Sequence, residues 1–500
     1  MSAPGEPAPA SRGGAVWCAL AIAGLSFWFW IGFPFANHNE SYAWIAQFRA
    51  MDLHDSLTRH LVGVANWRPL GTGWAWILWH VAHGSIVPVE LLNYFVAAAA
   101  WAWLAWRLPD RRFFSVAAFL VGGALFSGYV YLFHLHGIFY SPLLFFVALL
   151  LGARTGVGTR GLFTAFVLAA TTALFHPFTL PLFAAYVGGL WLERRVPFLA
   201  MAACVAACGA LALVLLAGGR SVPIGAETWS GLAVSYRMVE VHPAASAVAV
   251  LLVIATVGTA RLSGPARWTL APALALLAMG LALAGQSALP VWILACLIKL
   301  ARDGRWSWAA MLALAAIFPI AYPTGSPTYT IPALMIVTAT LAWHAEAGEA
   351  VLARLPDVAA AAVAILVVIL VLAVRADIHV PVVSRLADPL LAERERTRQM
   401  ESVLVWALAS PYRHDALVLY REARSPNEAQ NAVERRHRPP TQQSHLDRYL
   451  AEERGAPSGT DSLVVSFGSE AVPAGTLVYS APGRHAGEAR VYKRPPPTFP

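Results

Sequence analysis

Charge is what this chain has least of. Asp, Glu, Lys and Arg make up 13% of its 500 residues, about half the share of an ordinary soluble domain, while 58% are hydrophobic and the mean hydropathy is +0.57. That balance excludes a freely soluble fold. Acids are scarcer still, with 13 of the 28 Asp and Glu in the first 375 residues and the other 15 in the last 125. Cysteine is equally sparse: Cys18, Cys204, Cys208 and Cys296 all fall inside apolar runs. Cys204 and Cys208 share a helix face, but no other ligand lies near them in sequence, so they read as small hydrophobes rather than a metal or redox pair. There is no Walker loop, no G-x-G-x-x-G after a strand, no H-E-x-x-H and no G-x-S-x-G. ATP-driven transport, nucleotide chemistry on a Rossmann domain and serine hydrolysis therefore lose their sequence support.

Long apolar runs are abundant instead. They recur from residue 14 to residue 375, many near the ~20 residues that cross a bilayer as a helix. The expectation is an all-α polytopic membrane protein with about thirteen spans, near 14–35, 89–107, 113–133, 142–153, 162–175, 179–192, 197–217, 245–260, 268–285, 289–300, 307–322, 330–343 and 358–375. Arg12, "RLPDRR" (107–112), Arg154, Arg160, "ERR" (193–195), Arg261, Arg267, "KLARDGR" (299–305) and Arg354 then share one side, which the positive-inside rule makes cytoplasmic. Residues 1–13 form a cytoplasmic disordered leader, and the first run reads as a retained anchor because no small-x-small cleavage site closes it.

This topology leaves a first outer loop over 36–88. Within it, "RPLGTGWAWILWHVAHG" (68–84) reads as an amphipathic helix lying in the interface, its tryptophans at headgroup depth. Residues 376–500 change composition sharply and read as a small outer α+β domain. "ADPLLAERERTRQMESVLVWALAS" is expected as an amphipathic helix, and "SLVVSFG", "GTLVYSA" and "EARVYKR" as strands.

Six acids remain on the outer side of the membrane region: Glu40, Asp52, Asp55, Glu90, Glu227 and Glu240. Glu40 is the preferred general base, because it follows the first span closely enough for partial desolvation to raise its pKa. The plainer reading makes it the solvated start of a helix capped by Asn39. Asp52 is a second acid for the same chemistry, or a cap for the next loop helix. A divalent metal stays open, with Glu40 and His38 as candidate ligands. Arg68, held extended by Pro69, and Arg237 in "SYRMVEVH" suit a phosphate, although Arg68 would also snorkel to headgroups and Arg237 would pair with Glu240. His136 and Tyr140 in "HLHGIFY" and His176 in "LFHPFTLP" sit where a substrate could meet them, or where they merely cap and satisfy a broken backbone.

These residues are where the chain resembles a known class, the GT-C superfamily of membrane glycosyltransferases. Its members carry a catalytic acid just after the first span, in a large outer loop with interfacial helices. The stretch "RPLGTGWAWILWHV…VELLNYFVAAAAWAWLAWRL" (68–108) is similar to one that follows the acidic loop in some of them. The paired acids common in the family are Asn39-Glu40 here, and the tail has no W-W-D-Y-G, so oligosaccharyl transfer is not supported. The resemblance implies inverting transfer of a sugar from a polyprenyl-phosphate donor to an extracytoplasmic hydroxyl on an envelope glycan, lipid or protein. Glu40 would be the base with Asp52 assisting, and Arg68 and Arg237 would hold the phosphate. Membrane lipid is the other expected partner, and nucleic acid is not one.

Two other readings stay open. A lipid-linked glycan flippase or polymerase would line several spans with charge. A non-catalytic envelope scaffold would depend on 376–500 and not on Glu40. High Ala and the preference for Arg over Lys point to a bacterial inner membrane.

Overall fold

The computed structural model describes residues 13–35, 48, 52–58, 68–82, 85–124, 132–135, 137–153, 159–216, 226–239, 243–259, 264–321, 327–343, 355–412, 416–419, 462–468 and 475–493. Among them are seventeen α-helices. The first nine are α1 (Gly13–Gly32), α2 (Leu53–Thr58), α3 (Pro69–Val81), α4 (Val87–Arg107), α5 (Arg111–Phe119, continuing as the π-helix Leu120–Ala124), α6 (Gly137–Leu151), α7 (Thr159–Ala173), α8 (Thr179–Leu192) and α9 (Phe198–Leu216). The rest are α10 (Ala226–Val239), α11 (Pro243–Thr259), α12 (Gly264–Leu283), α13 (Leu289–Arg302), α14 (Trp306–Ile317), α15 (Ile331–Leu341), α16 (Asp357–Arg375) and α17 (Pro381–Ala409). The 3-10 turns Phe318–Ala321 and Pro327–Thr330 lie between α14 and α15. The chain divides into two compact units, Met1–Trp30 with Leu91–Leu372 and Ile31–Glu90 with Ala373–Pro500.

Each expected span contains a helix, and four are long and apolar enough to cross a membrane: Gly13–Gly32, Val87–Arg107, Phe198–Leu215 and Asp357–Arg375. At 1.5 Å per residue each reaches about 30 Å, the thickness of a hydrocarbon core. Burial shows which solvent they meet. Only 11% of the Phe198–Leu215 window and 22% of the Asp357–Arg375 window is buried inside the protein. In water that bare apolar surface would cost about 25 cal/mol per Å², and hydrocarbon removes the cost. This is a membrane protein. The other apolar helices, such as Gly137–Leu151 and Thr179–Leu192, are shorter than a full crossing.

In the first unit, α8 packs on α14 at backbone distance. A Cβ on Gly189 would meet the backbone of Ser307, so glycine sets the approach. All eleven residues of α15 are buried. Its Thr338 and Thr340 hydroxyls donate to the Leu334 and Ile336 carbonyls (2.7 Å each), which satisfies their donors in a buried helix. Charges in this unit gather at helix ends. Lys299 and Asp303 form a buried pair (3.0 Å). Glu193 accepts from the N–H and the hydroxyl of Ser307 (2.7 Å each) at the start of α14, and Arg305 lies 3.6 Å from the centre of the Trp343 ring.

In the second unit, α3 realises the expected 68–84 helix over Pro69–Val81, about 20 Å long. Gly71, Thr72, Ala75 and Trp79 are buried, while Trp74 is exposed. The tail folds as expected, with one addition. Helix α17 packs on a four-stranded sheet of order β1-β2-β4-β3, made of β1 (Ala416–Leu419), β2 (Ser462–Phe467), β3 (Thr476–Ala481) and β4 (Ala489–Lys493). The unexpected β1 pairs parallel to β2, and the other pairings are antiparallel. Met400, Val403 and Ala407 bury against Leu463, Val465 and Val491.

Candidate functional site

Within the first unit, two separated sequence motifs and a 3-10 turn meet in one aromatic layer. The start of α6 is built by Asn93 of α4. Its amide donates to the His134 carbonyl (2.8 Å) and its oxygen accepts from Ser141 (3.3 Å), all in buried surroundings. A Cβ on Gly137 would run into the Leu132 carbonyl, so this turn requires glycine. One turn on, Tyr140 lies 4.8 Å from the His176 ring and 5.7 Å from Tyr329, centre to centre.

His176 sits in the break between α7 and α8. Its carbonyl accepts from the Thr179 N–H and hydroxyl, and its Nδ1 accepts from the Phe178 N–H (3.3 Å). An accepting Nδ1 assigns the neutral ring's proton to Nε2, making that nitrogen the donor. Phe318 packs edge-on against His176 and Tyr329 and stacks face to face on Phe178. Tyr140 and His176 are themselves buried, while Phe178 and Tyr329 are half-buried and form the accessible edge. The predicted pair therefore supports the layer from within.

Helix α10 lies where a plain outer loop is expected, over 218–244. It packs on both 3-10 turns, and Tyr236 fixes it by donating to the Ala316 carbonyl (2.8 Å). Arg237, in its last turn, is exposed. Three predicted site elements, Tyr140, His176 and the helix carrying Arg237, thus converge on the turns Phe318–Ala321 and Pro327–Thr330. Threonines 328 and 330 add buried hydroxyls there. Flat aromatic faces carry negative charge at their centres and favour polarised C–H groups, and a guanidinium favours phosphate.

Of the remaining predictions, Asp52 and Arg68 belong to the second unit. Glu40, His38 and His136 lie outside the described residues. Asp52 is exposed, and its Oδ1 accepts from the Asp55 N–H (2.7 Å), the capping role of the plainer reading. Arg68 stands at the N-cap of α3 with its side chain buried; its carbonyl accepts from the N–H and hydroxyl of Thr72 (3.0 Å each). Glu90, one of the six outer acids and given no role from the sequence, is 1% exposed and accepts from the Phe35 N–H (3.3 Å). Arg375 donates to the Phe33 carbonyl (3.2 Å). A buried carboxylate and a guanidinium thus bracket residues 33–35, the approach to the segment bearing Glu40. A lone acid in an otherwise apolar run was the signal available. Among the described residues, no three His, Cys, Asp or Glu side chains come together as metal ligands. No family model, curated protein or solved structure matches the chain.

Proposed function

We propose that this protein is an integral-membrane glycosyltransferase that moves a sugar from a polyprenyl-phosphate donor to an extracytoplasmic hydroxyl, with inversion. In this reading the shorter apolar helices also cross, giving thirteen spans in a bacterial inner membrane with the tail outside. Glu40 takes the acceptor's proton as its oxygen bonds to the anomeric carbon. The bond from that carbon to the phosphate oxygen breaks, and polyprenyl phosphate leaves with its charge met by Arg68 and Arg237. Asp52 assists.

The observation that supports the reading most is the aromatic layer of Phe318 and Tyr329, with accessible Phe178 and Tyr329 and the Arg237 helix packed on the same two turns. It offers a flat face for a sugar ring and a cation on the adjoining helix. Incubating the purified protein with a panel of polyprenyl-phosphate hexoses and pentoses, together with a cell-envelope extract as the source of acceptor hydroxyls, tests it. Polyprenyl phosphate should be released from at least one donor, and Glu40→Gln should slow release by about 10²–10⁴-fold, the usual worth of a general base. Release from no donor, or an equal rate in Glu40→Gln, would overturn the proposal.

A further inference from the structure

The junction between the last apolar helix and the tail helix concentrates arginine. Arg375 closes α16, a 19-residue apolar helix, and so sits at the depth of lipid headgroups. Arg394 and Arg398 stand one turn apart on a single face of α17. Arg394 lies within electrostatic reach of Arg375 and Arg398, and Arg375 within reach of Arg398.

Two neighbouring carboxylates, Asp377 and Glu395, are engaged elsewhere. Asp377 pairs with Arg484 (2.7 Å) and bonds to His485 Nε2 (3.1 Å). Glu395 accepts the backbone N–H groups of Arg484, His485 and Ala486 on its two oxygens. Arg375, Arg394 and Arg398 are thus like charges close to one another, while the oxygens of Asp377 and Glu395 are already held by residues 484–486. Arg394 Nη1 is shielded from solvent and has no hydrogen-bond partner among the described residues. Burial, then Arg375 and Arg398, pull the Arg394 guanidinium below its usual pKa against the opposing pull of Asp377 and Glu395. A shielded N–H in cationic surroundings is complementary to an oxyanion with several acceptor oxygens.

We infer that Arg375, Arg394 and Arg398 bind a phosphate group at the membrane surface, carried by the headgroup of an anionic phospholipid, and that this contact moors the tail helix to the bilayer. The inference does not rest on sugar transfer, and none of the three arginines has a part in the proposed chemistry.

The test uses the full chain in detergent with short-chain phosphatidylglycerol, phosphatidylcholine and glycerol 3-phosphate, read by native mass spectrometry. Phosphatidylglycerol should bind at least about tenfold more tightly than phosphatidylcholine, and Arg394→Gln should remove most of that preference. Arg398→Gln, at an exposed position that should not disturb folding, should do the same. Arg396→Gln removes the same charge from the next face, where the side chain lies over Phe467, and should leave binding unchanged. Glycerol 3-phosphate binding as tightly, with the same two sensitivities, would support the phosphate site and name a soluble ester as its source. No preference for phosphatidylglycerol, or an equal loss in Arg396→Gln, would overturn the inference.

Discussion

Helices α16 and α17 follow one another with only residues 376–380 between them, yet they obey opposite rules. Over Asp357–Arg375, charge is confined to the two ends, and Ile365, Leu366, Val368 and Ile369 are each more than half exposed. Over Pro381–Ala409 there are eight charged residues, and the buried Met400, Val403 and Ala407 form one stripe against the sheet. Hydrophobic burial organises both. In the first the apolar surface faces hydrocarbon, so nothing is gained by hiding it from the surroundings; in the second water forces it against the sheet. A buried pair such as Lys299–Asp303 and a solvated one such as Asp377–Arg484 differ for the same reason.

The largest expected effect comes from the charges inside the first unit. Lys299→Met leaves Asp303 buried without its cation and should destabilise the protein by about 3–5 kcal/mol, whereas Lys299→Met with Asp303→Leu should recover much of the loss. Equal melting temperatures for the two variants would mean that the pair is not desolvated. Next comes the comparison itself. Ile365→Arg should weaken membrane insertion of its helix by about 2.5–3.5 kcal/mol in an insertion assay. Val405→Arg, at a comparably exposed position on α17 (69% against 60%), should change stability by less than about 0.5 kcal/mol. Similar costs at the two positions would erase the distinction between the helices.

The smallest effect sharpens the tail. Burial alone would raise the Glu395 carboxyl, but the three backbone N–H groups and His485 outweigh it and hold the group below its usual value near 4.5. A depressed folded-state pKa stabilises above the unfolded value and loses that contribution as pH falls through the folded one. Glu395→Gln should therefore cost about 1 kcal/mol near neutrality after screening, and flatten the acid limb of the melting curve below about pH 4.5. An unchanged acid limb would show that these bonds do not couple to folding.

Much of this architecture could be read from hydropathy, because a run of about 20 apolar residues has few stable alternatives to a helix in lipid. What escaped notice had weak local signals. Helix α10 carries a polar first half, and its buried Ser235, Tyr236 and Val239 mark only one short face. Strand β1 has four residues, and its partner β2 begins more than 40 residues later. Glu90 has nothing in its local sequence to set it apart from the other outer acids, and its burial and bond to Phe35 distinguish it. Conversely, Asp52 was legible as either acid or cap, and its hydrogen bond to the Asp55 N–H matches the cap.

The central functional claim is a site for lipid-linked phosphate, and thermal stability with and without polyprenyl phosphate tests it most directly. A ligand that binds only the folded state at 100 times its dissociation constant should stabilise by about 2.7 kcal/mol. The account predicts that stabilisation in the wild type and in Glu40→Gln, and its loss in Arg237→Ala. No shift with any polyprenyl phosphate, or an equal shift in Arg237→Ala, would contradict it and favour a scaffold that depends on residues 376–500.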